Sequence, residues 1–362
     1  EKIETLASEV EGATFEELSA KYLAVKADYE ALSQAGKAMV TNKAKLDEML
    51  AELDKTATTY RTDAATIDNI ADAMEKGAVA VVTAVEPQED IPYILVPSDR
   101  LALAMIAINW FDAPARSMTM IGVTGTNGKT STTLLLKQVL EKTLGAKVGL
   151  IGTMENMVGD EIIPTERTTP ESFELQGLFA RMRDAGCTHV VMEVSSHAIS
   201  LDRVAGVHFH VAAFTNLTED HLDFHKTMDA YCDAKAELFR RCNKGVLNGD
   251  DEYYNRIRSA ATCKLLTTSV KSAAQLHAQD IALHADGISF TAVYGAVKQE
   301  VSLPIPGRFT VYNALSMLGI GLQLGISLKD AAQALKTAKG VRGRVEVVPT
   351  PGKPYTVLVD YA

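Results

Sequence analysis

Between Gly122 and Thr130 the chain reads Gly-Val-Thr-Gly-Thr-Asn-Gly-Lys-Thr. Residues of these types at this spacing suit the binding of a polyphosphate. Glycines let backbone N–H groups turn toward an anion, and a helix starting at Lys129 adds the partial positive charge of its N-terminus. Lys129 would reach the β- and γ-phosphates, and Thr130 would hold magnesium. The strict Gly-x-x-x-x-Gly-Lys-Ser/Thr pattern is not met, because Val123 takes the position of the first glycine. The plain alternative is a glycine-rich strand-to-helix turn with a chance Gly-Lys-Thr. The apolar strand before it and the long helix after it are the context that the phosphate reading requires.

Three downstream segments end in polar groups. The run His189–Val194 carries Glu193 and leads into Ser195-Ser196-His197. The run Val207–Phe214 leads into the polar stretch Thr215–His225, and a helix after that carries Lys235. Singly, each has an ordinary structural explanation: an ion pair for a strand-end glutamate, solvation for a helical lysine. Behind a phosphate loop they gain meaning together, since strands of an open α/β sheet aim their C-terminal ends at a common crevice.

The elements that must position these groups alternate in type. Strands are expected at Ala78–Val85, Tyr93–Val96, Met118–Val123, Lys147–Ile151, His189–Val194, Val207–Phe214 and Gly245–Leu247. Helices are expected at Asp99–Phe111, Lys129–Leu144, Glu171–Ala185, Met228–Arg241, Asp251–Ala260, Val311–Leu324 and Leu328–Lys339. Short strands spaced by longer helices imply βαβ units and a mainly parallel sheet. Residues 278–305 alternate in shorter steps, as a small antiparallel patch would. Residues 1–60 differ: they hold 12 acidic and 7 basic side chains and no proline. Thr14 with Glu17 makes a capping box, and Leu46, Met49, Leu50 and Leu53 repeat at helical spacing. Amphipathic helices follow, either a solvated packing unit or a surface for a protein partner.

Over 362 residues, Lys plus Arg is 36 and Asp plus Glu is 46, a formal net charge of −10. That argues against a nucleic-acid binder, whose domains are usually basic. The longest apolar stretch, Leu101–Phe111, is far short of the ~20 residues that cross a bilayer. Four cysteines (187, 232, 242 and 263) contain no Cys-x-x-Cys pair, so reduced thiols in a cytoplasmic protein are expected. The apolar run Val357–Val359 stands with no following element, and the chain is expected to be a fragment.

Several motifs now add up to a resemblance. Gly125-Thr-Asn-Gly128-Lys129-Thr130, Thr168-Thr169-Pro170-Glu171-Ser172, Glu193-Val-Ser-Ser-His197 and Thr215–His225 together resemble the Mur ligases of peptidoglycan synthesis. Tyr231-Cys-Asp-Ala-Lys235, Gly307-Arg-Phe-Thr-Val-Tyr-Asn313, Gly343-Arg344-Val-Glu346 and Asp360-Tyr-Ala362 extend the likeness over residues 66–362. Within the family it leans toward the type that adds the third residue of the stem peptide. The phosphate loop alone also fits folylpolyglutamate and cyanophycin synthases.

The resemblance implies an α/β fold with a P-loop-type central ATPase domain at residues 117–340. A helical segment at 1–65 and a partial N-terminal UDP-binding-like domain at 66–116 would precede it. The first strands of a Rossmann-like C-terminal domain would occupy 341–362. It implies an ATP-dependent acid–amino-acid ligase that works through an acyl phosphate, expected to be inactive as this fragment. ATP and magnesium are the implied cofactors. UDP-N-acetylmuramoyl-dipeptide and an amino acid, diaminopimelate or lysine, are the implied substrates.

Roles carry over position by position. Gly125, Thr126, Asn127, Gly128, Lys129 and Thr130 would bind the phosphates, Asn313 the adenine edge, Arg344 the γ-phosphate and Asp360 the ribose. Thr130 and Glu193 would hold one magnesium ion and His221 a second, with Lys235 as a carbamylated lysine. Thr168, Thr169, Ser195 and Arg203 would bind the muramoyl-peptide. Lys129, His221 and Lys235 form the catalytic set. Two other readings stay open: a folate- or cyanophycin-type ligase on the same domain, and a non-catalytic nucleotide-binding scaffold.

Overall fold

The structure is a computed structural model that describes residues 77–87, 90–348, 350–351 and 357–360. The helices expected in residues 1–65, and the partner surface they would offer, lie outside the described residues. The chain divides into two units, Glu1–Val96 and Pro97–Ala362. In the first, β1 (Val81–Thr83) pairs in parallel with β2 (Tyr93–Leu95), both shorter than the apolar runs suggested.

The second unit opens with α1 (Asp99–Trp110), which Ser98 caps by accepting the Leu101 N–H. Then come β3 (Thr119–Thr124), α2 (Lys129–Leu144), β4 (Val148–Ile151), β5 (Asn156–Val158), β6 (Glu161–Ile163), α3 (Ser172–Asp184), β7 (His189–Glu193) and α4 (Ser196–Ser200). The chain continues through β8 (Phe209–Phe214), α5 (Leu222–His225), α6 (Met228–Ala236), β9 (Cys242–Asn248), α7 (Tyr254–Ala260) and β10 (Lys264–Ser269). It finishes with β11 (Leu276–His284), β12 (Gly287–Tyr294), β13 (Val297–Leu303), α8 (Arg308–Gln323), α9 (Leu328–Leu335), β14 (Glu346–Val348) and β15 (Val357–Val359).

Eleven strands form one sheet in the order β13-β12-β11-β10-β9-β8-β3-β7-β4-β5-β6. The middle of it, from β11 to β4, is parallel, as the alternating pattern implied. Antiparallel strands extend both edges. The expected antiparallel patch is therefore part of the main sheet, joined through the parallel pairing Thr268↔Leu276 and Ser269↔His277.

Burial on both faces explains the near-continuous apolar runs of the central strands. Along β3, Ile121 and Val123 face a core shared with α2, α8 and α9, while Met120 faces a second core shared with α3 and α6. Residues 228–241, expected as one helix, split into α6 and a 3-10 turn at Glu237–Arg240. β14 and β15 pair antiparallel, Glu346 opposite Val359. Among the described residues no helix is long and apolar enough to cross a membrane.

Candidate active site

At the centre of the sheet β3 ends on Thr124, and the chain turns over Gly125–Gly128 into α2. Two glycines are needed here for space as well as for backbone. Gly125 has φ +145°, and a Cβ on it would lie 2.0 Å from Thr215 Oγ1; Gly128 has φ +85°, and its Cβ would lie 2.4 Å from Asn313 Oδ1. Gly128 occupies the N-cap position of α2 without a side-chain cap. The first-turn N–H groups are therefore left without a capping side chain, the arrangement that receives a phosphate.

The segment after β8 braces this loop. The Thr126 N–H donates to Asn216 O (2.8 Å), and the Asn127 N–H donates to Asn216 Oδ1 (2.9 Å). Thr215 Oγ1 donates to Asn127 O at 2.6 Å, and Asn216 Nδ2 donates to the same oxygen at 3.0 Å. Thr126 Oγ1 also pairs with the Tyr231 hydroxyl at 3.2 Å. The loop is thus held in shape by protein contacts alone.

Two lysines meet under it. Lys129 Nζ donates to Gly125 O (3.0 Å) and to Thr126 O (2.8 Å). Lys235 Nζ donates to Gly125 O at 3.0 Å and lies 4.4 Å from the centre of the Tyr231 ring. A lysine in a helix's last turn is ordinarily solvated, yet Lys235, in the last turn of α6, is only 1% exposed. Burial pushes its pKa well below the usual lysine value, and the neighbouring Lys129 pushes it the same way. Burial lowers the Lys129 pKa too, opposed by the charges of Glu193 and Asp220.

Glu193 closes β7 with no solvent exposure. Its Oε1 accepts the Thr153 N–H (2.9 Å) and its Oε2 accepts Thr153 Oγ1 (3.1 Å). This buried carboxylate and the Thr130 hydroxyl face one cleft of about 460 Å³. Both are hard oxygen donors that suit magnesium. Among the described residues no three His, Cys, Asp or Glu side chains converge as a metal cage. A cation here would complete its shell with phosphate oxygens and water, which is how magnesium usually binds.

The cleft brings together most of the residues expected on the nucleotide: Thr126, Asn127, Gly128, Lys129, Thr130, Glu193, Asn313, Arg344 and Asp360. Gly125 and Lys235 are not part of its lining. Sequence reasoning missed the contributions of Thr153, Asn248, Lys271, Phe309 and Tyr312 to the same wall. Asp250 and Asp251, which also line the cleft, tie its surroundings together. Asp250 holds Ser269 Oγ and the N–H groups of Val270 and Lys271. Asp251 accepts the N–H groups of Leu217 (2.8 Å) and Tyr253 (2.9 Å), tying the segment after β8 to the start of α7.

The residues expected on the peptide substrate form a second group beside the cleft. Thr169 Oγ1 donates to Glu193 O (2.9 Å) and accepts the Ser195 N–H (3.1 Å). Ser195 Oγ caps α4 by accepting the Ala198 N–H. Thr168 Oγ1 pairs with Thr153 Oγ1 at 3.0 Å, and Arg203 Nη1 donates to Thr169 O at 3.1 Å. His221 stands apart from the cleft lining, half-exposed. Its Nδ1 is 3.4 Å from Asp220 Oδ1, and its ring packs edge-on against His197.

A family model described as the Mur ligase middle domain matches residues 123–321. The chain is 44% identical over 296 residues to UDP-N-acetylmuramoyl-L-alanyl-D-glutamate–2,6-diaminopimelate ligase of Caldanaerobacter subterraneus subsp. tengcongensis, covering 81% of this chain and 61% of that one. It is 42% identical over 297 residues to the ligase of the same name from Clostridium botulinum, covering 80% and 61%. A solved structure of a ligase of that name superposes with a TM-score of 0.70 at 27% identity, over 80% of this chain and 60% of that one. The chain thus spans about three-fifths of the length of these relatives.

Proposed function

We propose, from the premise that this chain belongs to the Mur ligase family, that it is the ATP-handling core of an acid–amino-acid ligase. The ligase would join 2,6-diaminopimelate to the D-glutamyl end of UDP-N-acetylmuramoyl-L-alanyl-D-glutamate, the reaction for which its relatives are named. One observation carries the reading. The phosphate loop, Glu193, Asn313, Arg344 and Asp360 face a single cleft, and Thr153 links that cleft to the Thr168–Arg203 group.

The chemistry needs two transfers. A free carboxylate is a poor electrophile, so an oxygen of the D-glutamyl carboxylate first takes the γ-phosphoryl group, and ADP leaves. The amine nitrogen then attacks the carbonyl carbon, the C–O bond to phosphate breaks, and the amine loses a proton. Such catalysis is mostly positioning plus charge neutralisation. Lys129 would exchange its two carbonyl acceptors for phosphate oxygens. Arg344 would approach the γ-phosphate, Asn313 the adenine edge and Asp360 the ribose. Thr168, Thr169, Ser195 and Arg203 would hold the peptide end.

Thr130 and Glu193 would hold one magnesium ion, and His221 with Lys235 a second. Bound magnesium would neutralise charge on the phosphates. Lys235 would serve as a carbamate: its neutral amine adds to the carbon of carbon dioxide and releases one proton, leaving an anion. The depressed pKa of Lys235 supports this, because only the neutral amine reacts. A protein using ATP and a UDP-linked sugar would work in the cytoplasm, where both are made.

ADP release tests the reading. In a chain extended to the full length of its relatives, it should require UDP-N-acetylmuramoyl-L-alanyl-D-glutamate, and amide product should require diaminopimelate. Thermal stabilisation by a folate instead of the UDP-linked dipeptide would overturn it.

A further inference from the structure

Glu171 occupies the N-cap position of α3 but its side chain caps nothing. Its two oxygens go to two arginines instead. Oε1 is 2.7 Å from Arg203 Nη2, and Oε2 is 3.4 Å from Arg100 Nη1. Arg167 adds a third positive charge that acts on Arg203. Two guanidinium groups thus share one carboxylate, in a spot that is not fully solvated: the Arg203 side chain is 13% exposed.

The bonding of Arg203 is incomplete in a specific way. Nη1 donates to Thr169 O and Nη2 meets Glu171, yet Nε is buried with no partner. The Nε–Nη2 edge of a guanidinium matches a carboxylate with two parallel bonds, which are stronger and more directional than one. Glu171 fills half of that edge, because its other oxygen is turned toward Arg100. A carboxylate with both oxygens free would satisfy Nε and Nη2 together.

We infer that Glu171 is a displaceable carboxylate: the substrate's second carboxylate takes the Nε–Nη2 edge of Arg203, and Glu171 passes to Arg100. The inference rests on the acidic-peptide reading above and adds a group to it. A D-glutamyl end has two carboxylates, one to be phosphorylated and one to be held. Arg203 is placed for the second, since Thr169 ties it to Glu193 and Ser195 at the edge of the cleft. Glu171 keeps the buried guanidinium from standing uncompensated before substrate arrives.

Calorimetric titration of UDP-N-acetylmuramoyl-L-alanyl-D-glutamate into wild type, Glu171→Gln and Arg100→Ala decides the matter. Glu171→Gln keeps the shape and removes the competing charge, so affinity should tighten about two- to fivefold, the size of a partly exposed ion pair. Arg100→Ala removes the landing place of Glu171, so affinity should weaken by about the same factor. The same compound with the α-carboxylate converted to a primary amide should bind wild type and Glu171→Gln equally. Unchanged or weaker binding by Glu171→Gln would mean that Glu171 only orients Arg203, and would overturn the inference alone. Should Glu171→Gln fail to fold by circular dichroism, Arg100→Ala decides: unweakened binding overturns the inference. Absence of binding to wild type would overturn the substrate reading, and this with it.

Discussion

Lys129 and Lys235 direct their Nζ atoms at one acceptor, the carbonyl oxygen of Gly125, each at 3.0 Å. Two cations on one carbonyl, with little solvent beside them, favour the neutral amine, and both lysine pKa values fall. An incoming polyphosphate relieves the arrangement by drawing Lys129 away. Conversion of Lys235 to a carbamate would relieve it from the other side.

The crowding has a measurable cost. Lys235→Met fills the same volume without a desolvated amine, and the nucleotide-free chain should gain about 1 kcal/mol in urea denaturation. In a chain extended to the full length of its relatives, the same substitution should nearly abolish ligase turnover. In Lys235→Ala, formate or acetate should restore part of the rate by occupying the space and supplying oxygens. Wild-type turnover in either variant would reduce Lys235 to a packing residue.

Lys129 has a different signature. Its amine bonds only to loop carbonyls, so Lys129→Ala should leave the circular dichroism spectrum intact. Affinity for ATP with magnesium should fall by about 1.5–3 kcal/mol, the range of a hydrogen bond to a charged group. Calorimetry reads this directly, and an unaltered affinity would remove the phosphate-loop assignment.

Legibility in the sequence followed distance along the chain. The phosphate loop and α2 could be read locally, because strand, glycines and lysine are contiguous. The parallel centre of the sheet could be read from short apolar strands alternating with longer helices. β5 and β6 were missed because three-residue strands such as Asn156–Val158 carry no periodicity. β10, Lys264–Ser269, was missed because its Thr-rich half reads as polar although Thr268 and Ser269 are buried. The site behaves likewise. Lys235 meets Gly125 across 110 positions, and nothing in its helix announces burial except small neighbours. Thr153 and Lys271 had no motif to mark them, and the pairing of Glu171 with Arg203 exists only in the folded chain.

Gly128 offers a test of how tightly the loop and α8 are fitted. At φ +85° an alanine is strained by about 1–2 kcal/mol, and its Cβ would meet Asn313 Oδ1 at 2.4 Å. Asn313 must then swing away from the cleft. Gly128→Ala should lower stability by roughly that amount, and it should weaken ATP more than inorganic triphosphate. Equal weakening of both ligands would show that Asn313 does not contact the base.

His225 gives the chain a pH dependence of known sign. It is buried, its Nε2 pairs with Ser196 Oγ at 2.9 Å, and its ring stacks on Tyr231. Burial lowers its pKa to about 4, helped by His197, Lys235 and His221. In the unfolded chain the value is ~6.5. Between those two values the unfolded state takes up the proton more readily, so acidification favours unfolding. The contribution of neutral His225 is complete above about pH 6.5 and is lost as the pH falls toward 4. Urea denaturation at pH 7, 6, 5 and 4.5 should show unfolding free energy declining through this window. His197, His189 and His210 are also depressed by burial and contribute to the slope. His225→Phe isolates one share of it: the variant cannot titrate, so its curve should be flatter than wild type. It should also start about 1 kcal/mol lower at pH 7, because Ser196 Oγ loses its partner. Parallel curves for variant and wild type would show that His225 is not held neutral by the fold.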